Sequence, residues 1–120
     1  MNIEYHNKTV KKQCIEFKTA KKYFGDKIAE KLHSTINIIE RATNLRDISA
    51  MPTFHFHPLL GNSKNSSKKY AIDIGGRKSG YRLIMVPLDD NRNEVKDNGK
   101  GSLYDCTTVL LILEVSNHYE

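Results

Sequence analysis

At Pro52 the hydrophobic pattern changes its period, and this change limits the fold more than any other feature of the chain. Before it, Ile28, Leu32, Ile36 and Ile39 step by four, four and three residues along one stripe, the spacing of an amphipathic helix. After it, residues 70–74, 81–88 and 107–115 are rich in β-branched, leucine and aromatic side chains and read as strands. No internal repeat or low-complexity linker separates the two halves. Helices first and strands second, over 120 residues, point to a single domain across 1–120 of the α+β class.

The remaining elements fall around this division. Ile3 and Tyr5 alternate with polar neighbours, as in a short first strand. A first helix is expected from Asn7 or Thr9 to Gly25, with Val10, Cys14, Phe17 and Phe24 on one face and Lys11, Lys12, Lys18, Lys21 and Lys22 mostly on the other. Asp26 offers a capping oxygen to the second helix, and residues 44–48 add a helical turn before Pro52 stops it. His55, His57 and Leu59 lie on one face of a further strand, residues 61–67 form a polar turn, and 89–105 reads as an extended hairpin loop. The expected architecture is two N-terminal helices packed on one face of a small twisted antiparallel sheet. The other face is expected to be open, concave and bordered by lysines.

Composition narrows the partners. The formal charge of +5 favours polyanions such as nucleic acid, or an acidic protein. Cys14 and Cys106 are the only cysteines and lack metal-ligand spacing, which fits reduced thiols in a cytoplasmic protein. The first residues hold no apolar signal region, and no apolar run approaches the length of a membrane span. Neither secretion nor membrane association is expected.

The densest charge lies between Gly61 and Arg82, where Lys64, Lys68, Lys69, Arg77, Lys78 and Arg82 are set against the single acid Asp73. Such a cluster neutralises phosphates, although a charge run also serves as a solvated face. There is no phosphate loop, no paired Cys-x-x-Cys, no His-Glu-x-x-His and no nucleophile elbow, and the glycines at 75–76 and 99–101 suit turns. His55 and His57 have the spacing to present two imidazoles to a metal, but no third ligand is evident nearby in sequence, so neither metal nor cofactor is expected. Imidazoles that line a groove titrate near neutrality and serve as acid or base. His118 and Tyr119, directly after the last strand, add two groups able to donate or relay protons, or else a frayed terminus.

The stretch His57-Pro58-Leu59-Leu60-Gly61, a basic turn, then Lys69-Tyr70-Ala71-Ile72-Asp73-Ile74, then Ser79-Gly80-Tyr81-Arg82-Leu83-Ile84, and a last strand from Val109 to Val115 resembles the RelE/HigB type of toxin from bacterial toxin and antitoxin pairs. The similarity is to that superfamily's His-x-Leu-x-Gly, strand, Tyr-Arg-Leu and final-strand order, and it runs through most of the chain. What the resemblance implies is a ribosome-dependent endoribonuclease, or mRNA interferase, that inhibits translation and growth. In it the substrate's own 2′-hydroxyl attacks the adjacent phosphate without a metal. Arg82 then corresponds to the arginine of the Tyr-Arg-Leu strand, whose guanidinium fork suits phosphate oxygens. His57 corresponds to the histidine of His-x-Leu-x-Gly, and His118 and Tyr119 to the terminal acid, base or stacking residues, with His118 preferred for proton transfer.

Related sequences carry lysine where this chain has Leu60, Ala71 and Asp73, so the RNA-binding charge is expected from Lys64, Lys68, Lys69, Arg77 and Lys78. Arg82 has a competing role as the cross-strand partner of Asp73. The resemblance also implies a cognate antitoxin, acidic or a helix-turn-helix HigA-like protein, that forms a hetero-oligomer with the toxin and carries it to operator DNA. Two alternatives stand beside this reading: a ParE-like poison of DNA gyrase, and a nucleic-acid-binding module without catalysis.

Overall fold

The fold is that of a computed structural model, which describes residues 1–59, 68–96 and 101–117. It is an α+β fold in which, among the described residues, five α-helices accompany a five-stranded open mixed sheet. In chain order the elements are β1 (Asn2–Tyr5), α1 (Lys8–Ile15), α2 (Phe17–Phe24), α3 (Asp26–Arg41), α4 (Leu45–Ser49), β2 (His57–Pro58), β3 (Tyr70–Asp73), β4 (Arg82–Leu88), α5 (Ser102–Cys106) and β5 (Val109–Ser116). The strands lie in the order β1-β5-β4-β3-β2.

The stripe that defines α3 does what its spacing demands: Leu32, Ile36 and Ile39 are buried, joined by Ala29 one turn earlier, and Ile28 packs at the margin. Asp26, however, does not cap it. The preceding Gly25 takes the N-cap position at φ 85°, and Asp26 is the first helical residue, where its charge faces the positive end of the helix and Lys21 Nζ lies 3.4 Å away. A further departure is the first helix, which is two. Asn7 Oδ1 caps α1 by accepting the Val10 N–H at 2.9 Å, but Glu16 then adopts an extended backbone (φ −108°, ψ 112°) and breaks the run. The break turns α2 so that Ala20 enters the core, while Phe17, expected on the buried stripe, is exposed and meets the edge of the His33 ring.

Two strand expectations also change. β1 pairs with β5 in parallel, Ile3 opposite Leu110, so the sheet is mixed rather than antiparallel. The loop from 89 to 105 is not a plain hairpin: Glu94 bridges back to Leu88, and α5 follows with Leu103 buried. β3, β4 and β5 form the expected antiparallel ladder, with a bulge in the β4–β5 register between Ile84 and Met85.

All five helices give side chains to one cluster on one face of the sheet, built on Ile72, Leu83, Met85, Leu110 and Ile112. The opposite face holds a small cluster of Val86, Leu88 and Val109 with Leu111 and Leu113 beside it, to which no described helix contributes. Among the described residues no helix is long and apolar enough to cross a membrane.

Cys14 sits inside the first cluster, and burial pushes its thiol from 9.0 up to about 12; burial likewise raises the Tyr5 hydroxyl above its ordinary range. Both groups therefore hold their protons more tightly folded than unfolded. Their contribution to stability is complete below about pH 9, where the unfolded thiol begins to ionise, and is lost as pH rises toward about 12. Urea unfolding at pH 8 and pH 10.5 is expected to show a smaller loss of stability for Cys14→Ala than for the parent chain. Equal losses would contradict the assignment.

Candidate functional site

Alternation along the strands places Ala71, Asp73, Arg82, Ile84 and His57 on the face away from the helices. Asp73 pairs with Arg82 in the β3–β4 register, His57 with Ala71, and Arg82 with Ser116 on the other side. Asp73, Arg82 and His57 thus share one face of the sheet.

Asp73 is their centre. Its side chain is 1% exposed, and its two oxygens are divided between partners: Oδ1 lies 3.3 Å from Arg82 Nε, and Oδ2 lies 3.2 Å from His55 Nδ1. The Arg82 contact is an ion pair without hydrogen-bond alignment, since Oδ1 accepts no hydrogen bond. A carboxylate buried this deeply is tolerated when cations surround it. Arg82 therefore does take the cross-strand partner weighed for it from sequence, and it does so within the cluster that also contains His57.

His55 reaches Asp73 by a backbone reversal rather than along a strand. Pro52 does not simply end the helical half; it opens a 3₁₀ turn, Pro52–Phe54, that buries Phe54, and His55 follows at φ 46° and ψ 51° in the left-handed region. For a non-glycine residue that conformation costs about 1–2 kcal/mol. The ordered strand here is only His57–Pro58, so His55, His57 and Leu59 do not form the single strand face expected. The reversal stacks the His55 and His57 rings, with centroids 4.4 Å apart and planes 25° from parallel.

The hydrogen bonds fix the rings. His57 Nδ1 is 2.6 Å from the His55 carbonyl oxygen, which only accepts, so Nδ1 carries the hydrogen and Nε2 is left for chemistry. By the same logic His55 donates from Nδ1 to the Asp73 carboxylate and leaves its own Nε2. One ring atom from each histidine and a carboxylate oxygen of Asp73 lie within 4.8 Å of one another. The third ligand missing from the neighbourhood of His55 and His57 in sequence is thus supplied by the fold.

The basic residues divide. Arg77 and Lys78 are exposed in the β3–β4 hairpin, a turn built on Gly75, Gly76 and Gly80 at positive φ and tied by Ser79, whose hydroxyl donates to the Ile74 carbonyl. They stand at the same end of the sheet as Asp73 and Arg82. Lys68 and Lys69 are exposed at the other end of β3, roughly 13 Å along the strand by its rise per residue. Lys64, His118 and Tyr119, together with Leu60 and Gly61, lie outside the described residues.

Sequence reasoning gave His55 and Asp73 lesser roles: one of a metal-less histidine pair and a charge partner. On α3, Lys31 lines a cleft of about 310 Å³ together with Ser34, Thr53, Gly75, Gly76 and Asp73. Nothing in the α3 pattern singles Lys31 out, because an exposed lysine on a helix is ordinary. Comparisons of the chain with family models, with curated proteins and with solved structures find no match in any of the three.

Proposed function

We propose that the chain is an RNA-cleaving toxin of the RelE/HigB type, a ribosome-dependent endoribonuclease in which Arg82 and the His55–His57 pair act on a phosphodiester. The observation that carries this reading is the convergence of two imidazoles and a guanidinium around buried Asp73. Cleavage through the 2′-hydroxyl needs a base to take the hydroxyl proton, a cation for the charge that builds on phosphorus, and an acid to protonate the departing 5′-oxygen. One imidazole supplies each proton transfer and Arg82 the charge. The products are a 2′,3′-cyclic phosphate and a 5′-hydroxyl.

Arg77 and Lys78 beside the cluster suit the flanking phosphates, and Lys68 and Lys69 a more distant part of the strand. Tyr119 keeps its proposed part in base stacking, and His118 is the alternative proton donor should the histidine pair not supply it. An acidic antitoxin on the lysine-rich surface of α1 and α2, where Ile15, Phe17 and Tyr23 are exposed, would neutralise the toxin between episodes of activity.

The test is induction of the chain in bacteria with growth and messenger RNA ends followed together, repeated with Arg82→Lys and His118→Ala. Codon-phased cuts on translated messages that persist with chelator in the purified reaction, and vanish in the Arg82 variant, are expected. Growth arrest with intact messages and altered DNA topology would assign the chain to gyrase poisoning instead. RNA binding without cleavage or arrest would leave only a binding module.

A further inference from the structure

The same cluster has the makings of a metal site. We propose that His55, His57 and Asp73 bind a single divalent transition-metal ion, zinc above all, and that the ion blocks the acid and base chemistry of the two imidazoles. The inhibitory half rests on the nuclease reading; the binding half does not.

The donor set is two imidazoles and one carboxylate, a set that zinc accepts when a fourth position is left open to water. Its geometry is already partly formed. With zinc bonds of about 2.0–2.1 Å, neighbouring ligands of a tetrahedral site are about 3.3–3.4 Å apart, and His55 Nδ1 and Asp73 Oδ2 stand at 3.2 Å. An ion between them would replace the proton they share. The third donor is within 4.8 Å of the others, close enough that a shift of the stacked His55 and His57 rings would complete the site.

Supporting contacts point the same way. Nδ1 of His57 donates to the His55 carbonyl, which fixes the ring and turns Nε2 into its ligand atom, the arrangement usual for metal-bound histidines. Asp73 keeps its second oxygen for Arg82, so the carboxylate is held from outside the site while Oδ2 faces the histidine. The left-handed backbone at His55 is what brings the ring to Asp73. The positive charge of Arg82 opposes a second cation, which suits an ion that binds reversibly rather than one that is built in.

Bound metal would occupy the nitrogen lone pair of His57 and the Asp73 oxygen that orients His55. Cleavage would stop while the fold remained. No covalent step is involved.

The experiment titrates zinc chloride into the tag-free chain against a chromophoric zinc chelator, in the absence of RNA. One zinc ion per chain is expected, with affinity lowered at least tenfold in His57→Ala and in His55→Asn, a residue that tolerates the left-handed backbone. His33→Gln, whose ring contacts Phe17 elsewhere, should bind as the parent does. Circular dichroism of each variant establishes that it is folded. Parent-like affinity in both folded His55 and His57 variants would overturn the site. Loss of zinc binding in those variants supports it whether or not the chain cleaves RNA. If cleavage is observed, equimolar zinc should abolish it and chelator restore it; site-specific binding that leaves cleavage unchanged would overturn the inhibitory half alone.

Discussion

Replacing Arg82 by methionine is expected to lower the free energy of unfolding by about 3 kcal/mol, more than removing the charge of its partner through Asp73→Asn, at about 1–2 kcal/mol. The asymmetry comes from solvent. Asp73 is 1% exposed, so loss of Arg82 strands its charge against His55 alone. Loss of the carboxylate charge leaves Arg82 and His55, whose side chains are 14% and 36% exposed and can turn toward solvent. Because each single change carries the cost of orphaning the other group, the double variant should lose less than the sum of the two. Urea denaturation of the four chains measures this cycle. Additive losses, or a larger loss for Asp73→Asn, would mean that the pair does not carry the buried charge.

Activity separates the two jobs of Arg82. Arg82→Lys keeps a cation opposite Asp73 and should hold most of the stability, but it loses the planar fork that spans two phosphate oxygens. Cleavage is expected to fall by about 10²–10³-fold, the usual consequence of removing a donor aimed at charge developing in the transition state. A lysine variant that folds and cleaves like the parent would reduce Arg82 to a structural counter-ion.

The reach of the sequence followed the range of the interactions involved. The α3 stripe was readable because its signal lies in spacing within one helix, and Leu32, Ile36 and Ile39 are buried as that spacing requires. The break at Glu16 was not, because the apolar period runs through it from Cys14 to Phe17 while the backbone turns. Parallel pairing of β1 with β5 joins segments more than a hundred residues apart, and a four-residue strand carries no mark of its partner. The α5 turn was hidden in a hydrophilic stretch where Leu103 is the main apolar anchor.

The site divides in the same way. Arg82 opposite Asp73 follows from adjacent strands and was within reach of sequence, since the hairpin between them is short. His55 was not, because its approach depends on a left-handed residue after a 3₁₀ turn, and histidine carries no strong signal for that conformation. The basic cluster, continuous in sequence, is spread along a strand in space, which leaves Arg77 and Lys78 rather than Lys68 and Lys69 at the end of the sheet that carries Asp73.

The division of labour between the two imidazoles follows from their partners and predicts different defects. His57 donates Nδ1–H to a neutral carbonyl, which fixes the tautomer whose Nε2 lone pair can accept the 2′-hydroxyl proton. His55 donates Nδ1–H to the Asp73 carboxylate, which orients its ring, and under the proposed reaction it is assigned the donor role toward the 5′-oxygen. His57→Ala and His55→Asn are each expected to slow cleavage by about 10²–10⁴-fold. A substrate with sulfur in place of the bridging 5′-oxygen tells them apart, because a thiolate is a far weaker base than an alkoxide and departs without a proton. On that substrate His55→Asn should recover most of the parent rate, while His57→Ala stays slow because the 2′-hydroxyl still needs its base. Recovery by the His57 variant alone would exchange the two roles. Recovery by neither, with both variants folded, would remove the acid step from this pair and move it to His118, which follows β5 in the chain.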